Sequence, residues 1–277
     1  MEISLQYLLI LLLIMKKLYL LIQYIFICSV SFAQNEYISP DKRTPYLHNL
    51  ISNKKFSIEV NLGIGIPAGD YGNTAQVPLP SSDTTHVNGL ASTGFYFNVT
   101  AGYLFSPFFG GMVMVGGNLN SFNEGAWQTL RSTAIPGITT SVDGNFYIGE
   151  YLIGPYASVP ASNKVKIEFK ALLGLVTANY PLLTQTFPYY GTTVVEVKNI
   201  KNSSNFGYYF GAGLKCMVTN NIGIYFNFGY TGSDIGYPEV DVTIAQTGYP
   251  TYTVYSTHER FMLLGIIQMT GGVSYNW

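Results

Sequence analysis

The sequence after Asn53 alternates large apolar residues with small or polar ones, and this period of two constrains the fold more than any other feature. The first segment, 56–66, places on one face Phe56, Ile58, Val60, Leu62, Ile64 and Ile66. The intervening positions carry serine, glutamate, asparagine and glycine. Successive side chains of a β-strand point to opposite sides. The pattern therefore predicts a strand with one continuous apolar face.

Eight segments share this alternation. They cover residues 56–66, 95–105, 110–122, 146–157, 164–178, 206–218, 222–231 and 260–277. At about 3.3 Å per residue and a tilt of about 45°, strands of this length just cross the hydrocarbon core of a membrane. The segments predict an even-numbered antiparallel set of strands.

The connections between the segments alternate between short and long. Short ones lie at 106–108, 158–163 and 219–221, and long ones at 67–91, 123–145, 179–205 and 232–259. This alternation is typical of transmembrane β-barrels, which have short periplasmic turns and longer extracellular loops. It predicts that both ends of the barrel chain lie in the periplasm. Further alternation at Val240, Val242 and Ile244 and at 251–255 predicts that at least two loops continue as hairpins above the membrane.

Composition indicates which face of the strands points outward. Only 10% of the residues are charged and the net charge is -1, so no basic surface is available for nucleic acid. In a soluble barrel or β-sandwich, the alternative, the apolar faces would point inward. Glycine and charge make a poor hydrophobic core, whereas long aromatic side chains on a lipid-facing exterior need no partner. We therefore predict an all-β fold, an eight-stranded antiparallel up-and-down transmembrane β-barrel with four long extracellular loops.

The first 33 residues resemble an export signal. From Met15 the chain has a basic start, an apolar centre and Ser31-Phe32-Ala33 before Gln34, which is the pattern of a secretory signal peptide. We predict that the true start is Met15, with residues 1–14 an artefact of an upstream start codon, and that cleavage follows Ala33; a retained anchor helix is the alternative. Residues 34–53 are then a periplasmic lead and 54–277 the barrel. Cys28 follows Ile27, where a lipoprotein signal requires a small residue, so one cysteine, Cys216, is left and no internal disulfide can form.

Three stretches resemble a known family. They are GIGIPAGDYG at 63–72, LIGPYASVPASNKVKIEFKALLGL at 152–175 and FGAGLKCMVTNNIGIYFNFGY at 210–230. They are similar to the outer-membrane β-barrel proteins common in Bacteroidota, which are related in architecture to the eight-stranded OmpA, OmpX and OmpW types. The resemblance implies a Gram-negative cell outer membrane and a barrel fold. It implies no substrate, because fold-level analogy does not give one.

The last strand ends on alternating outward residues Val273, Tyr275 and Trp277. An aromatic final residue on such a strand looks like the signal that outer-membrane barrels present to the barrel assembly machinery. An interfacial aromatic belt is the alternative explanation. Either reading predicts that the strand lies in the membrane.

Six inward charges are the first candidates for a functional site. They form a predicted lumen polar network of Glu59, Glu150, Lys166, Glu168, Lys170 and Lys215, three acids facing three lysines. The network could be a gate, or a packed polar plug, since an eight-stranded barrel is only wide enough to be filled by side chains. We favour the plug because buried charges persist when they are paired. Arg260 and Glu259 are predicted at the outer rim.

The histidines are the residues to consider for enzymatic chemistry. His48 precedes the barrel, His86 lies in the first long loop, and His258 ends the fourth with Ser256 and Glu259 beside it. Adjacent residues of an extended chain point to opposite faces, and no serine lies in a nucleophile motif. No metal-ligand spacing is present either. We therefore predict a non-enzymatic protein without cofactor or metal, and an outer-membrane hydrolase is the less favoured alternative.

The function predicted from the sequence is a structural or surface-exposed one, with loop-mediated ligand or host binding. Tyrosines among small polar residues in the long loops provide adaptable contacts. A small porin or an OmpW-like channel for small or apolar molecules is the alternative. The predicted partners are outer-membrane lipid and lipopolysaccharide, the barrel assembly machinery and an unidentified extracellular ligand. The protein is expected to be a monomer and not to bind nucleic acid.

Overall fold

The alternating segments form long antiparallel strands in the computed structural model, which describes residues 54–74, 89–162, 164–237, 240–256 and 260–277. In chain order the strands are β1 (Phe56–Gly69), β2 (Gly94–Leu104), β3 (Phe109–Asn120), β4 (Thr139–Asp143), β5 (Phe146–Pro160), β6 (Val165–Asn179), β7 (Leu182–Tyr189), β8 (Thr192–Ile200), β9 (Ser203–Met217), β10 (Ile222–Tyr237), β11 (Val240–Gln246), β12 (Tyr252–Ser256) and β13 (Arg260–Asn276). A helix, α1 (Glu124–Ala134), and a 3-10 turn (Asp70–Gly72) complete the elements. The predicted signal peptide and lead lie outside the described residues.

Eight of the strands close into a barrel. Their order around it is β1, β2, β3, β5, β6, β9, β10 and β13, with β13 pairing back onto β1. The closing pair runs from Ser57 opposite Asn276 to Gly69 opposite Leu264. Every barrel strand therefore lies beside its neighbour in the sequence. The predicted all-β, eight-stranded antiparallel up-and-down barrel is confirmed.

The two ends of the barrel differ. One end, the turn end, carries the three short connections together with Phe56 and Trp277. At this end the Val218 and Thr219 N–H groups donate to the Ile222 carbonyl at 2.9 and 3.0 Å. The other end, the loop end, carries the four long connections. Strand β10 extends past the predicted limit at Thr231 to Tyr237 because its pairing with β13 continues to Arg260.

The long connections contain more structure than the alternation predicted. The hairpin β11–β12 is present, and β7–β8 forms a second hairpin in the preceding long connection. Together with β4 they form one five-stranded sheet, the loop sheet, in the order β12, β11, β8, β7 and β4. The helix α1 was missed, although Asn123 is a recognisable N-cap that accepts a hydrogen bond from the Ala126 N–H at 3.0 Å.

Large apolar side chains cover the outside of the barrel. The exposed ones include Ile58, Val60, Leu62, Ile64, Phe97, Val99, Val113, Val115, Tyr151, Ile153, Phe169, Leu173, Phe210, Phe226 and Phe228. Soluble proteins rarely expose contiguous apolar surface beyond a few hundred Å². The orientation predicted from composition, with the apolar faces outward, is the one observed.

The inside of the barrel is less polar than the sequence suggested. Besides asparagine, threonine and charged residues, it buries an apolar group comprising Met112, Met114, Ile148, Leu152, Leu172, Val176, Leu264 and Ile266. Glycines make room for inward tyrosine rings, since a Cβ added at Gly213 would overlap the Tyr225 hydroxyl. A short side chain on one strand leaves space for a long one from a neighbouring strand, whether polar or apolar.

Candidate functional site in the barrel lumen and the loop sheet

Four of the six predicted inward charges meet in one ion cluster, which consists of Glu59, Glu168, Lys170 and Lys215. The Lys215 Nζ lies 2.6 Å from both Glu59 Oε1 and Glu168 Oε1, and the Lys170 Nζ lies 2.7 Å from Glu59 Oε2. All four residues are buried, and the most exposed of them is only 4% exposed. Two carboxylates and two ammonium groups balance, so each buried charge has a partner of opposite sign.

Neighbouring polar and aromatic groups complete the ion cluster. The Thr100 hydroxyl donates to Glu59 Oε2 at 2.9 Å, and the Ser158 hydroxyl to Glu168 Oε1 at 3.4 Å. The Tyr225 ring lies under both ammonium groups, with its centroid 4.5 Å from Lys170 Nζ and 5.6 Å from Lys215 Nζ. A cation over an aromatic face is attracted by the ring quadrupole. The cluster is therefore packed and satisfied on several sides.

The other two predicted members lie apart from the ion cluster. Glu150 accepts a hydrogen bond from the Tyr96 hydroxyl at 2.7 Å and another from the Gln268 Nε2 at 3.0 Å. Gln268 also donates to the Thr231 hydroxyl at 2.7 Å. Within the described ranges no ion pair involves Glu150 or Lys166, and Lys166 is half-buried at the turn end. The predicted single network is thus divided into three parts.

Towards the loop end the lumen is filled by an aromatic plug, which we define as Tyr71, Phe122, Phe146 and Tyr180. The Phe146 ring centroid lies 5.3, 5.9 and 4.8 Å from those of Tyr71, Phe122 and Tyr180. Trp127 of α1 extends the group, 6.0 Å from Phe122. Phe122 is the last residue of the predicted segment 110–122, whereas Tyr71 and Tyr180 lie outside the predicted segments, so no alternation pointed to them.

The plug also contains a buried polar contact. The Tyr71 hydroxyl donates to Asn120 Oδ1 at 2.9 Å. Burial raises the pKa of the Tyr71 phenol well above its usual value, because the phenolate would lose its hydration. Tyr71 therefore remains a neutral donor over the whole physiological range.

Most of the residues considered for catalysis lie outside the described residues. His48, His86, His258 and Glu259 lie outside the described residues, and Arg260 is described only as the first residue of β13. Whether His258, Ser256 and Glu259 come together is therefore not tested. Cys216 is a free thiol on β9, opposite Ile224 of β10. In the described part of the chain no group of three or more metal-ligating side chains occurs.

The loop sheet carries exposed tyrosines, the tyrosine surface, comprising Tyr189, Tyr190, Tyr249, Tyr252 and Tyr255. Tyr190 is 90% exposed at the tip of the β7–β8 hairpin. The tips of the two hairpins are tied together, since the Gln246 Nε2 donates to the Thr192 hydroxyl at 2.9 Å and the Thr247 N–H to the Thr193 carbonyl at 3.2 Å. The tyrosines are thus presented on a hydrogen-bonded support.

No helix in the described residues is both long and apolar enough to cross a membrane. No family model matches the chain, and no curated protein matches it. The family resemblance noted in the sequence therefore stays a prediction.

Solved structures of outer-membrane proteins match over most of the chain. Neisserial surface protein A is 15% identical over 80% of this chain and 97% of its own, with a TM-score of 0.40. OprG from Pseudomonas aeruginosa is 11% identical over 81% and 96%, with a TM-score of 0.41. The protease OmpT from Escherichia coli is 9% identical over 82% and 98%, with a TM-score of 0.33. These likenesses concern the fold alone, and the predicted lack of enzymatic activity stays a prediction.

Proposed function

We propose that the chain is an integral, non-enzymatic barrel of the bacterial outer membrane that presents the loop sheet to the outside for binding. The observation that carries this proposal is the apolar exterior of a closed barrel. A hydrocarbon environment stabilises such a surface. Closure of the barrel pairs the backbone N–H and C=O groups of every strand, as a membrane requires. The lipid partners are then outer-membrane lipid and lipopolysaccharide.

Aromatic residues at both ends of the apolar exterior support this setting. Exposed rings at the turn end include Tyr103, Phe105, Phe109, Tyr275 and Trp277, and those at the loop end include Tyr147, Phe206 and Tyr208. Membrane barrels carry such girdles at the two interfaces. The C-terminal assembly signal is part of this proposal. It consists of the outward side chains of Val273, Tyr275 and Trp277, which the barrel assembly machinery would contact before the barrel inserts into the membrane.

Orientation follows from the lengths of the connections, with the turn end in the periplasm and the loop sheet outside. Impermeant maleimide labelling of intact cells tests this. In a Cys216→Ala background, we expect Tyr190→Cys at the β7–β8 tip to be labelled on intact cells. Asn220→Cys in the β9–β10 turn should be labelled only after lysis. The reverse pattern, or recovery of the protein in the soluble fraction, would contradict the proposal.

The filled lumen supports a binding or structural role over conduction. The ion cluster fills part of the interior, and the aromatic plug occupies it towards the loop end. In planar bilayers we expect the purified protein to give no stable single-channel step, whereas a porin in the same lipid conducts. A reproducible step of tens of picosiemens or more, at levels independent of detergent, would instead favour the channel alternative.

The tyrosine surface supports the binding role. Tyrosine supplies a large contact area with few rotatable bonds, and small polar neighbours supply adaptable hydrogen bonds. The loop sheet provides both, because threonines occupy β7, β8, β11 and β12 between the apolar positions. A hydrogen-bonded, outward-facing sheet of this composition suits recognition of another macromolecule.

A further inference from the structure

The two edge strands of the loop sheet, β4 and β12, differ in whether their unpaired backbone groups are covered. At the β4 edge, the Val142 N–H donates to Glu124 Oε1 of α1 at 3.2 Å, and Gln128 of α1 donates to the Ile138 carbonyl next to β4. β4 also ends on the charged Asp143. Covering an edge and charging it are two ways in which proteins prevent unwanted strand pairing.

The β12 edge has neither protection in the part of the chain that the structure describes. β12 pairs with β11 on one side, from Ile244 opposite Tyr252 to Val240 opposite Ser256, and no described strand pairs with its other side. Its sequence, Tyr-Thr-Val-Tyr-Ser, contains no charge and no proline. Residues 252–255 are all exposed.

From this contrast we infer that β12 is a docking edge, which takes up an extended segment of another polypeptide as a sixth strand of the loop sheet. The inference rests on the proposed function, because it needs the loop sheet to be accessible outside the cell. A row of free N–H and C=O groups at strand spacing is matched by another extended backbone. A compact small molecule could satisfy few of these groups.

The side chains beside the docking edge indicate the chemistry of the partner. Tyr252 and Val254 share a face with Val242 and Ile244 of β11, so this face is apolar next to the edge, and the charged Lys198 and Glu196 follow on β8. On the other face the Thr253 hydroxyl lies 3.2 Å from that of Thr243, and Tyr255 is exposed beside them. The fitting partner is an extended segment that alternates apolar or β-branched residues with polar ones, as the Val-Asp-Val-Thr run of β11 does on the inner side of β12.

A fluorescent peptide with the sequence of β11, Val-Asp-Val-Thr-Ile-Ala-Gln, is a suitable probe because β12 already pairs with that sequence on its inner side. Fluorescence anisotropy with the full protein in lipid nanodiscs should show saturable binding. Two versions N-methylated on alternate residues, one set for each edge of the peptide, provide the decisive comparison. Only one version should bind, since a strand uses one edge for pairing.

Variants locate the binding on β12. Val254→Lys places a charge on the docking edge and should abolish saturable binding, whereas Ser141→Lys on the covered β4 edge should leave it unchanged. An unchanged heat-modifiable gel shift would establish that both variants fold. Equal binding of both N-methylated peptides, or unchanged binding by Val254→Lys, would overturn the docking edge. The cysteine labelling described above tests separately whether the loop sheet lies outside the cell. A failure of the docking edge is therefore distinguishable from a failure of the proposed function.

Discussion

Replacing Lys215 by methionine should lower the free energy of unfolding in lipid by about 3–5 kcal/mol, the cost of leaving buried charges unpaired. Lys215 contacts Glu59 Oε1 and Glu168 Oε1, both at 2.6 Å, and Lys170 alone cannot replace both contacts. Methionine keeps most of the length of the side chain, so lost packing contributes little. Urea unfolding of the protein in vesicles, followed by the heat-modifiable gel shift, measures the change.

The Lys198–Glu196 pair of the loop sheet supplies the control. Its charged atoms are 3.5 Å apart and its side chains are 19% and 21% exposed. Pairs in contact with water contribute about 0–1 kcal/mol, so Lys198→Met should change stability by no more than this amount. Equal effects of the two substitutions would show that the ion cluster is wet and open rather than a packed plug.

Placing arginine on the outer wall, as in Leu173→Arg, should destabilise the protein in lipid by about 2–4 kcal/mol. Leu173 lies in the middle of β6 and is half-exposed on the apolar exterior. A charge there would have to leave water for hydrocarbon, and the cost is greatest at the bilayer midplane. Unfolding in vesicles measures the loss, and Phe226→Arg on β10 should behave in the same way.

Tyr190→Arg is the matched control, since this side chain projects into water at the hairpin tip and the same change should be nearly neutral. The comparison isolates the hydrocarbon environment from the general effect of adding arginine. If Leu173→Arg left stability unchanged in lipid, the exterior would face water and the membrane proposal would fail.

The positions of the barrel strands could be predicted because their information is local. The alternation beginning at Phe56 fixes which side chains share a face, and short turns such as 219–221 bring neighbouring strands together in antiparallel order. The ends of the strands were less predictable. Beyond Thr231 the exterior of β10 loses its apolar stripe, while the backbone pairing with β13 continues.

The candidate site was predictable only in part. Each inward charge could be recognised from its own strand, but Glu59 and Lys170 are 111 residues apart and meet because of the register around the closed barrel. Glu150 shares the inward face and lies beside Tyr96 and Gln268 instead. Sequence spacing within a strand carries no information about the stagger between strands on opposite walls.

The sequence by itself determined the eight strands, the apolar outer face and the alternation of short and long connections, because period and turn chemistry act over a few residues. Tertiary structure decided which charges pair, how the aromatic plug fills the lumen and how three loops join into one sheet. It also decided that α1 covers the β4 edge and leaves the β12 edge open among the described residues. These features depend on distances between segments far apart in the chain, which are set only when the barrel closes.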